Sequence, residues 1–231
     1  MTRRKKKPKG TCVFCGKPAT TKDHIPPRKI YVQTEPDDLI TVPACRSCNN
    51  GTKLDDEYFR LCVMTGGSNN AEVEQHIFDK LMPSLRRNPK LLAMFMKGAR
   101  TVDITTPSGI VIGQRHAFDF DRKRLQRIVE KIVKGLYWRN KGKRLGDECY
   151  VRDFVLTNQG DFGLPAFDFK SAKWEEVAGG DFRYQFIQVP QDDCLTGWSL
   201  EFYRGVIVMT VMTDRLPGTG PTLDDVLGEG A

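Results

Sequence analysis

The chain has 231 residues, 39% of them hydrophobic, and a formal net charge of +7. This length and apolar content predict a buried core that folds without disulfides, and no apolar run approaches the roughly 20 residues needed to cross a bilayer. Because the first residues are basic rather than apolar, no secretory signal is expected. The protein is predicted to be cytoplasmic, or nucleoid-associated if a bacterium or phage encodes it.

The positive charge is concentrated in two places. Residues 1–10 contain six Lys or Arg and no acid, and are predicted to be a disordered basic arm. Residues 121–145 contain ten Lys or Arg and two acids, whereas the rest of the chain carries a net charge of −7. Two basic elements on an acidic body favour a polyanionic partner such as nucleic acid. The alternative, a solvated tail and a solvated helix face, remains open.

Four of the seven cysteines form two C-x2-C pairs, and the other three stand alone. The pairs are Cys12 with Cys15 and Cys45 with Cys48. This spacing in an unsecreted chain predicts metal binding rather than disulfides. Four thiolates suit one tetrahedral structural zinc, whose closed shell leaves no position for a substrate. Cys62, Cys149 and Cys194 are expected to be small hydrophobic residues of the core.

The segment that includes the second cysteine pair is predicted to form a hairpin and then a helix. Residues 40–42 (ITV) are typical of a short strand, and the stretch before His24 is its expected partner. After the second pair, apolar residues recur at the spacing of a helix. They are Leu54, Tyr58, Leu61 and Cys62. The acids Asp55, Asp56 and Glu57 are interpreted as residues that favour the first helical turn.

Two further helices are expected at 71–82 and 89–98. The second has Asn88 as its N-cap and Pro89 at its first position. Residues 101–114 then predict two strands joined by a turn that contains Pro and Gly.

The segment 121–137 predicts an amphipathic helix. Its apolar stripe consists of Leu125, Ile128, Val129, Ile132, Val133, Leu136 and Tyr137. The opposite, basic side consists of Lys123, Arg127, Lys131 and Lys134, which are expected to contact nucleic acid. From residue 150 onward, alternating aromatic segments predict an antiparallel sheet with a turn near Arg204-Gly205, and 215–231 is expected to be a flexible tail.

Asp23 and His24 lie just before two prolines, and taken alone they are typical of a polar turn. In this chain they belong to a longer ordered pattern that spans about residues 11–60. The pattern consists of Cys12, Cys15, Asp23, His24, Pro26, Asp38, Leu39, Cys45, Cys48 and Asn49. This set resembles the zinc-bearing members of the HNH, or ββα-metal, endonuclease family. The resemblance implies a treble-clef-like module built from a hairpin and a helix.

The resemblance also implies a role for each site residue. Asp23 and Asn49 would hold one Mg²⁺ or Mn²⁺, for which oxygen ligands are suited, and His24 would be the general base. Asp38 stands where the family usually has an Asn that braces the loop bearing the histidine, and an ionised carboxylate only accepts hydrogen bonds. Lys53, which follows Asn49 closely, is expected either to approach a phosphate near the cleaved bond or to be solvated at the start of the helix.

The predicted fold class is therefore α+β, with an N-terminal zinc-stapled ββα-metal module and a larger domain of helices and antiparallel sheet. The predicted boundaries are 1–10 for the arm, 11–64 for the module, 65–214 for the second domain and 215–231 for the tail. The predicted function is a metal-dependent endonuclease acting on DNA. The sequence does not separate DNA from RNA, or a monomer from a homodimer. Two alternatives stay open: a non-catalytic zinc-stabilised nucleic-acid-binding module and a protein-binding zinc adaptor.

Overall fold

The structure is a computed structural model. It describes residues 10–31, 36, 38–65, 75, 79, 82–117, 119–157, 167, 169–190, 192–203, 207–222, 224 and 225. The predicted basic arm, most of the predicted helix 71–82, the turn at Arg204-Gly205 and the end of the predicted tail lie outside these residues. Within the described ranges, no helix is both long and apolar enough to cross a membrane.

The described residues form helices and strands that occur in groups along the chain. The helices are α1 (Arg46–Gly51), α2 (Lys53–Thr65), α3 (Met82–Arg87), α4 (Pro89–Met96) and α5 (Arg122–Lys141). The strands are β1 (Thr21–Ile25), β2 (Ile40–Ala44), β3 (Arg100–Thr105), β4 (Val111–Ala117), β5 (Cys149–Thr157), β6 (Glu175–Val177), β7 (Phe182–Gln188), β8 (Thr196–Phe202) and β9 (Ile207–Arg215).

Every strand pair among the described residues is antiparallel. β1 pairs with β2, β3 pairs with β4, and a five-stranded sheet has the order β5-β9-β8-β7-β6. The molecule is thus a mixed helical and antiparallel-sheet protein, which confirms the predicted fold class at this level. The strands expected from alternation near 40–42, within 101–114 and after 150 are also confirmed.

The long helix α5 connects the N-terminal hairpin to the five-stranded sheet. It begins at the N-cap Asp121, whose carboxylate accepts from the backbone N–H of Arg124, and ends at Gly142 with φ +67°. The predicted apolar stripe is confirmed, because all seven of its residues are buried. The helix contacts β1, β2, α2 and β5, and one core extends from Ile25 to Trp198. The division of the chain into domains stays a prediction.

Two predictions about individual side chains are wrong. Lys131 is only 6% exposed, because β1 and α2 cover the flank of α5 that was expected to face solvent. Cys149 and Cys194 are not separate thiols but a disulfide with a Cα–Cα distance of 5.0 Å.

The disulfide joins residues that are distant in sequence. Cys149 begins β5 and Cys194 lies two residues before β8, and both of these strands pair with β9 near its C-terminal end. The sheet therefore brings the two thiols together across a separation of 45 residues, for which the sequence has no local signal. Cys62 is buried in the core, as expected.

Gly135 in α5 allows the helix to lie against the strand that carries Asp23 and His24. A Cβ at this position would be 2.4 Å from Cγ1 of Ile25 in β1. Overpacking a core costs about 1–3 kcal/mol, so Gly135→Val should lower the free energy of unfolding by roughly this amount in a urea titration. Gly51→Val is the control, because a Cβ at Gly51 meets nothing within 4 Å. Equal urea midpoints for the two variants would contradict the close approach.

Candidate functional site

The four paired cysteines converge at the end of the β1/β2 hairpin. Their Sγ atoms all lie within 4.8 Å of one another, and the Sγ atoms of Cys15 and Cys45 are 3.7 Å apart. A tetrahedral zinc with bonds of about 2.3 Å to sulfur has sulfur–sulfur edges of about 3.8 Å. The cluster therefore has the ligand type and the spacing to hold a metal ion.

Short-range backbone geometry brings each pair into position. After Cys12 the chain turns tightly: the N–H of Gly16 donates to the carbonyl of Cys12 over 2.9 Å. Gly16 adopts φ +72°, a conformation that glycine accepts without strain. Cys45 is the N-cap of α1, and its sulfur accepts from the N–H of Cys48 over 3.4 Å. The second pair is thereby fixed by the start of a helix.

The environment of the cluster shifts the pKa values of its thiols in different directions. A hydrogen bond with Ser47 lowers the pKa of Cys45 to about 6, whereas burial raises the pKa of Cys12 and of Cys48. Four thiolates in one small volume repel one another, so a bound cation must supply the charge that permits all four to lose their protons.

Asp23 and His24 are neighbours on β1, so their side chains point to opposite faces of the strand. Asp23 is buried, at 7% exposure, and its Oδ1 accepts from the backbone N–H of His24 over 2.9 Å. His24 is half-buried. Burial and then the charge of Arg28 lower the pKa of His24 from its usual 6.5, against the opposing effect of Asp23. The imidazole is therefore neutral at neutral pH and can accept a proton.

Asn49 lies against the same strand. Its Nδ2 donates to Oγ1 of Thr21 over 3.0 Å and to the carbonyl of Lys22 over 2.9 Å. Because Asn49 directly follows Cys48 in α1, the cysteine cluster determines where this amide is placed. The structure thus brings Asn49 to the strand that carries Asp23 and His24.

Asp38 and Lys53 are placed differently. The carboxylate of Asp38 accepts from the backbone N–H of Ala178, at 3.2 Å to Oδ1 and 3.0 Å to Oδ2. In the described part of the chain its hydrogen bonds therefore brace the turn after β6 and not the segment bearing His24. Lys53 is exposed at the first residue of α2.

A buried group of charges connects β1, α2 and α5. The ammonium of Lys131 lies 2.9 Å from Oδ2 of Asp23 and 3.8 Å from Oδ1 of Asp56, and donates to Oγ1 of Thr52 over 2.7 Å. Burial, more than any other influence, raises the pKa of Asp56 to about 6. One turn earlier in α5, Nε of Arg127 pairs with Asp55 over 2.7 Å. Two of the four residues on the basic side of α5, Arg127 and Lys131, therefore pair with acids of the N-terminal segment.

Sequence reasoning missed Thr52, Asp55 and Asp56 as partners of α5. Thr52 caps the end of α1, and Asp55 and Asp56 lie in the first turn of α2. These local positions explain the three residues without any tertiary contact, so the sequence contains no sign of the pairing. Of the basic residues that were expected to contact nucleic acid, Lys123 and Arg127 are exposed and Lys134 is partly exposed.

Comparison of this chain with protein-family models, with curated proteins and with solved structures gives no match.

Proposed function

We propose that the protein is a metal-dependent endonuclease of the HNH type that hydrolyses phosphodiester bonds in DNA. The observation that carries this proposal is the arrangement on β1, where the half-buried His24 follows the buried carboxylate of Asp23 and the amide of Asn49 from α1 is docked against the strand. If Asp23 and His24 only formed a polar turn, there would be no need for a carboxylate, an imidazole and an amide to lie together on one strand.

The four-cysteine cluster is proposed to hold a structural zinc ion. Four sulfur ligands in a tetrahedron suit zinc or an iron–sulfur centre, and the 3.7 Å separation of Cys15 and Cys45 agrees with a single ion. Its role would be to fix the first turn of α1 and with it Asn49. The zinc would then affect catalysis only by fixing the position of Asn49, and would take no part in the reaction itself.

Hydrolysis assigns a distinct task to each of the three residues on or against β1. His24 would accept a proton of the attacking water at an imidazole nitrogen as the water oxygen bonds to phosphorus and the P–O3′ bond breaks. The departing 3′ oxygen would take a proton from solvent, which leaves a 5′-phosphate and a 3′-hydroxyl. Asp23 and Asn49 would offer oxygens to one Mg²⁺ or Mn²⁺. When bound, such an ion stabilises negative charge on the phosphate and on the leaving oxygen.

The donor set fits a hard divalent ion in its chemistry, because it consists of carboxylate and amide oxygens. The surroundings of Asp23 fit less well, since the ammonium of Lys131 is 2.9 Å from Oδ2. That contact is the observation that favours the second candidate, a non-catalytic zinc module that binds nucleic acid. In such a module Asp23 would be only the partner of a buried lysine.

Plasmid nicking separates the two candidates. Purified zinc-loaded protein should convert supercoiled plasmid to open circles when Mg²⁺ or Mn²⁺ is added, and should leave it intact when the divalent ion is omitted. Omission is a better control than a chelator, because a chelator would also remove the zinc. If the protein binds the plasmid but does not cut it with either ion, the binding module is the correct function.

The exposed basic residues lead to a prediction about DNA affinity. Lys123 and Lys134 are not buried, and each phosphate contact contributes about −0.9 to the slope of log affinity against log salt. Lys123→Gln and Lys134→Gln should each make this slope less steep by about 1, and deletion of residues 2–9 should reduce it further. Fluorescence anisotropy with a labelled duplex at several salt concentrations measures the slope.

The matched control for this prediction is Lys173→Gln. Lys173 is equally charged and exposed, but it lies in the segment before β6 rather than in α5. It should leave the slope unchanged. If the α5 variants also leave it unchanged, their charges do not contact phosphates.

A further inference from the structure

The buried charges around Lys131 include two carboxylate oxygens that are poorly satisfied. Oδ2 of Asp23 and Oδ1 of Asp56 are buried, and neither accepts a hydrogen bond of good geometry from any described residue. Both oxygens lie close to the Lys131 ammonium, at 2.9 and 3.8 Å. The hydroxyl of Thr52 completes the group at 2.7 Å from the same nitrogen.

The charges of this group do not balance. Two ionised carboxylates and one ammonium leave a net charge of −1, and an uncompensated buried charge is costly. A divalent cation would neutralise both carboxylates. Carboxylate and hydroxyl oxygens are also the ligands that Mg²⁺ and Mn²⁺ prefer.

The structure has space for the Lys131 side chain if a metal ion displaces it. A cleft of about 190 Å³ adjoins the group, and its lining includes one acid, Glu130, and the cations Arg127 and Lys134, besides Phe14, Cys48, Thr52 and Lys131 itself. The ammonium is already 5.8 Å from the centre of the Phe14 ring. Rotation of the flexible lysine side chain would carry the charge into this cleft and towards Glu130.

We propose that Asp23, Asp56 and Thr52 form a divalent-cation site in which the Lys131 ammonium is the resident cation, so that metal binding and the Lys131–Asp23 ion pair exclude each other. This inference rests on the proposed function for Asp23 as a metal ligand, and it adds Asp56 as a second carboxylate. Metal affinity would then be set by competition with a lysine supplied by α5.

The test measures Mn²⁺ binding directly, by electron paramagnetic resonance on the full-length zinc-loaded protein. Lys131→Gln should bind Mn²⁺ at least about tenfold more tightly than the wild type, because the competing cation is gone. Lys141→Gln is the matched control: it removes the same charge from the last turn of the same helix, outside both the group and the cleft, and should leave Mn²⁺ affinity within about twofold of the wild-type value.

Asp56→Asn provides a second variant that retains the Lys131–Asp23 pair and therefore the fold. It should weaken Mn²⁺ binding about tenfold or more, and in combination with Lys131→Gln it should cancel the gain. Thermal melting gives an independent readout: Lys131→Gln should melt below the wild type without divalent ion, and added Mg²⁺ should raise its melting temperature more than that of the wild type.

Each outcome decides the inference. Equal Mn²⁺ affinity of the wild type and Lys131→Gln, no effect of Asp56→Asn, or no Mn²⁺ binding by any variant would overturn it. If Mn²⁺ binds as expected but plasmid DNA is never nicked, the cation site stands and the nuclease function fails. If DNA is nicked while Lys131→Gln leaves metal affinity unchanged, the nuclease function stands and the competition fails.

Discussion

Replacing His24 with alanine should lower the rate of DNA cleavage by a factor of about 10² to 10⁴, the usual cost of losing a general base. Folding and metal content should hardly change, because His24 is outside the cysteine cluster and only half-buried on β1. Its neighbour Asp23 would keep its ion pair with Lys131. Single-turnover cleavage of a labelled duplex at saturating protein measures the effect on the chemical step.

The control for His24→Ala is Thr41→Ala. Thr41 lies directly opposite His24 on β2 and shares its face of the hairpin, so its loss perturbs the same surface without removing a base. Cleavage by Thr41→Ala should stay close to that of the wild type, and duplex binding without divalent ions should be equal for both variants. Cleavage by His24→Ala at the wild-type rate would remove His24 from the reaction.

Loss of the metal from the cysteine cluster should unfold the N-terminal hairpin. Binding of zinc by small domains supplies about 10 kcal/mol or more of folding free energy, and the four cysteines lie together at the end of the hairpin where β1 begins and β2 ends. Cys45→Ser is the informative variant, because serine can still serve as the N-cap of α1 while it removes one thiolate. Zinc content should fall well below one ion per chain, and the melting temperature should drop.

Cys62→Ala controls for the general cost of removing a buried thiol. Cys62 lies in the main core and not in the metal cluster, so this variant should retain one tightly held zinc. A native melting curve and full zinc content for Cys45→Ser would show that the four-cysteine site is not a metal centre.

Local patterns were sufficient to predict the elements that carry the candidate site. The β-alternation near Ile40 and the helical spacing of Tyr58 and Leu61 correspond to β2 and α2. Asn88 caps α4 by accepting from the N–H of Leu91, as its position before Pro89 indicated. These features depend on neighbours in sequence, and for that reason a single chain reveals them.

Contacts between distant segments could not be predicted in the same way. At 100° per residue Lys131 falls opposite the apolar stripe, but α5 is covered by the sheet on one side and by β1 and α2 on another. The helical period of the apolar residues predicts one buried face of α5, and it contains no signal for a second buried face. The hydrogen bonds of Asp38 to Ala178 depend on a partner 140 residues away, which no motif identifies.

The pairing of Cys149 with Cys194 sets opposite chemical requirements within one chain. The thiolates proposed to bind zinc have to be reduced, whereas Cys149 and Cys194 are oxidised to a disulfide. Accessibility reconciles them: both disulfide sulfurs belong to buried residues, while Cys15 is exposed. Thiol–disulfide exchange requires access to the sulfur, so a mild thiol reductant protects Cys15 without reaching the disulfide. An oxidant should therefore react first with Cys15 at the exposed end of the cysteine cluster. Metal binding should be lost while the five-stranded sheet is still folded.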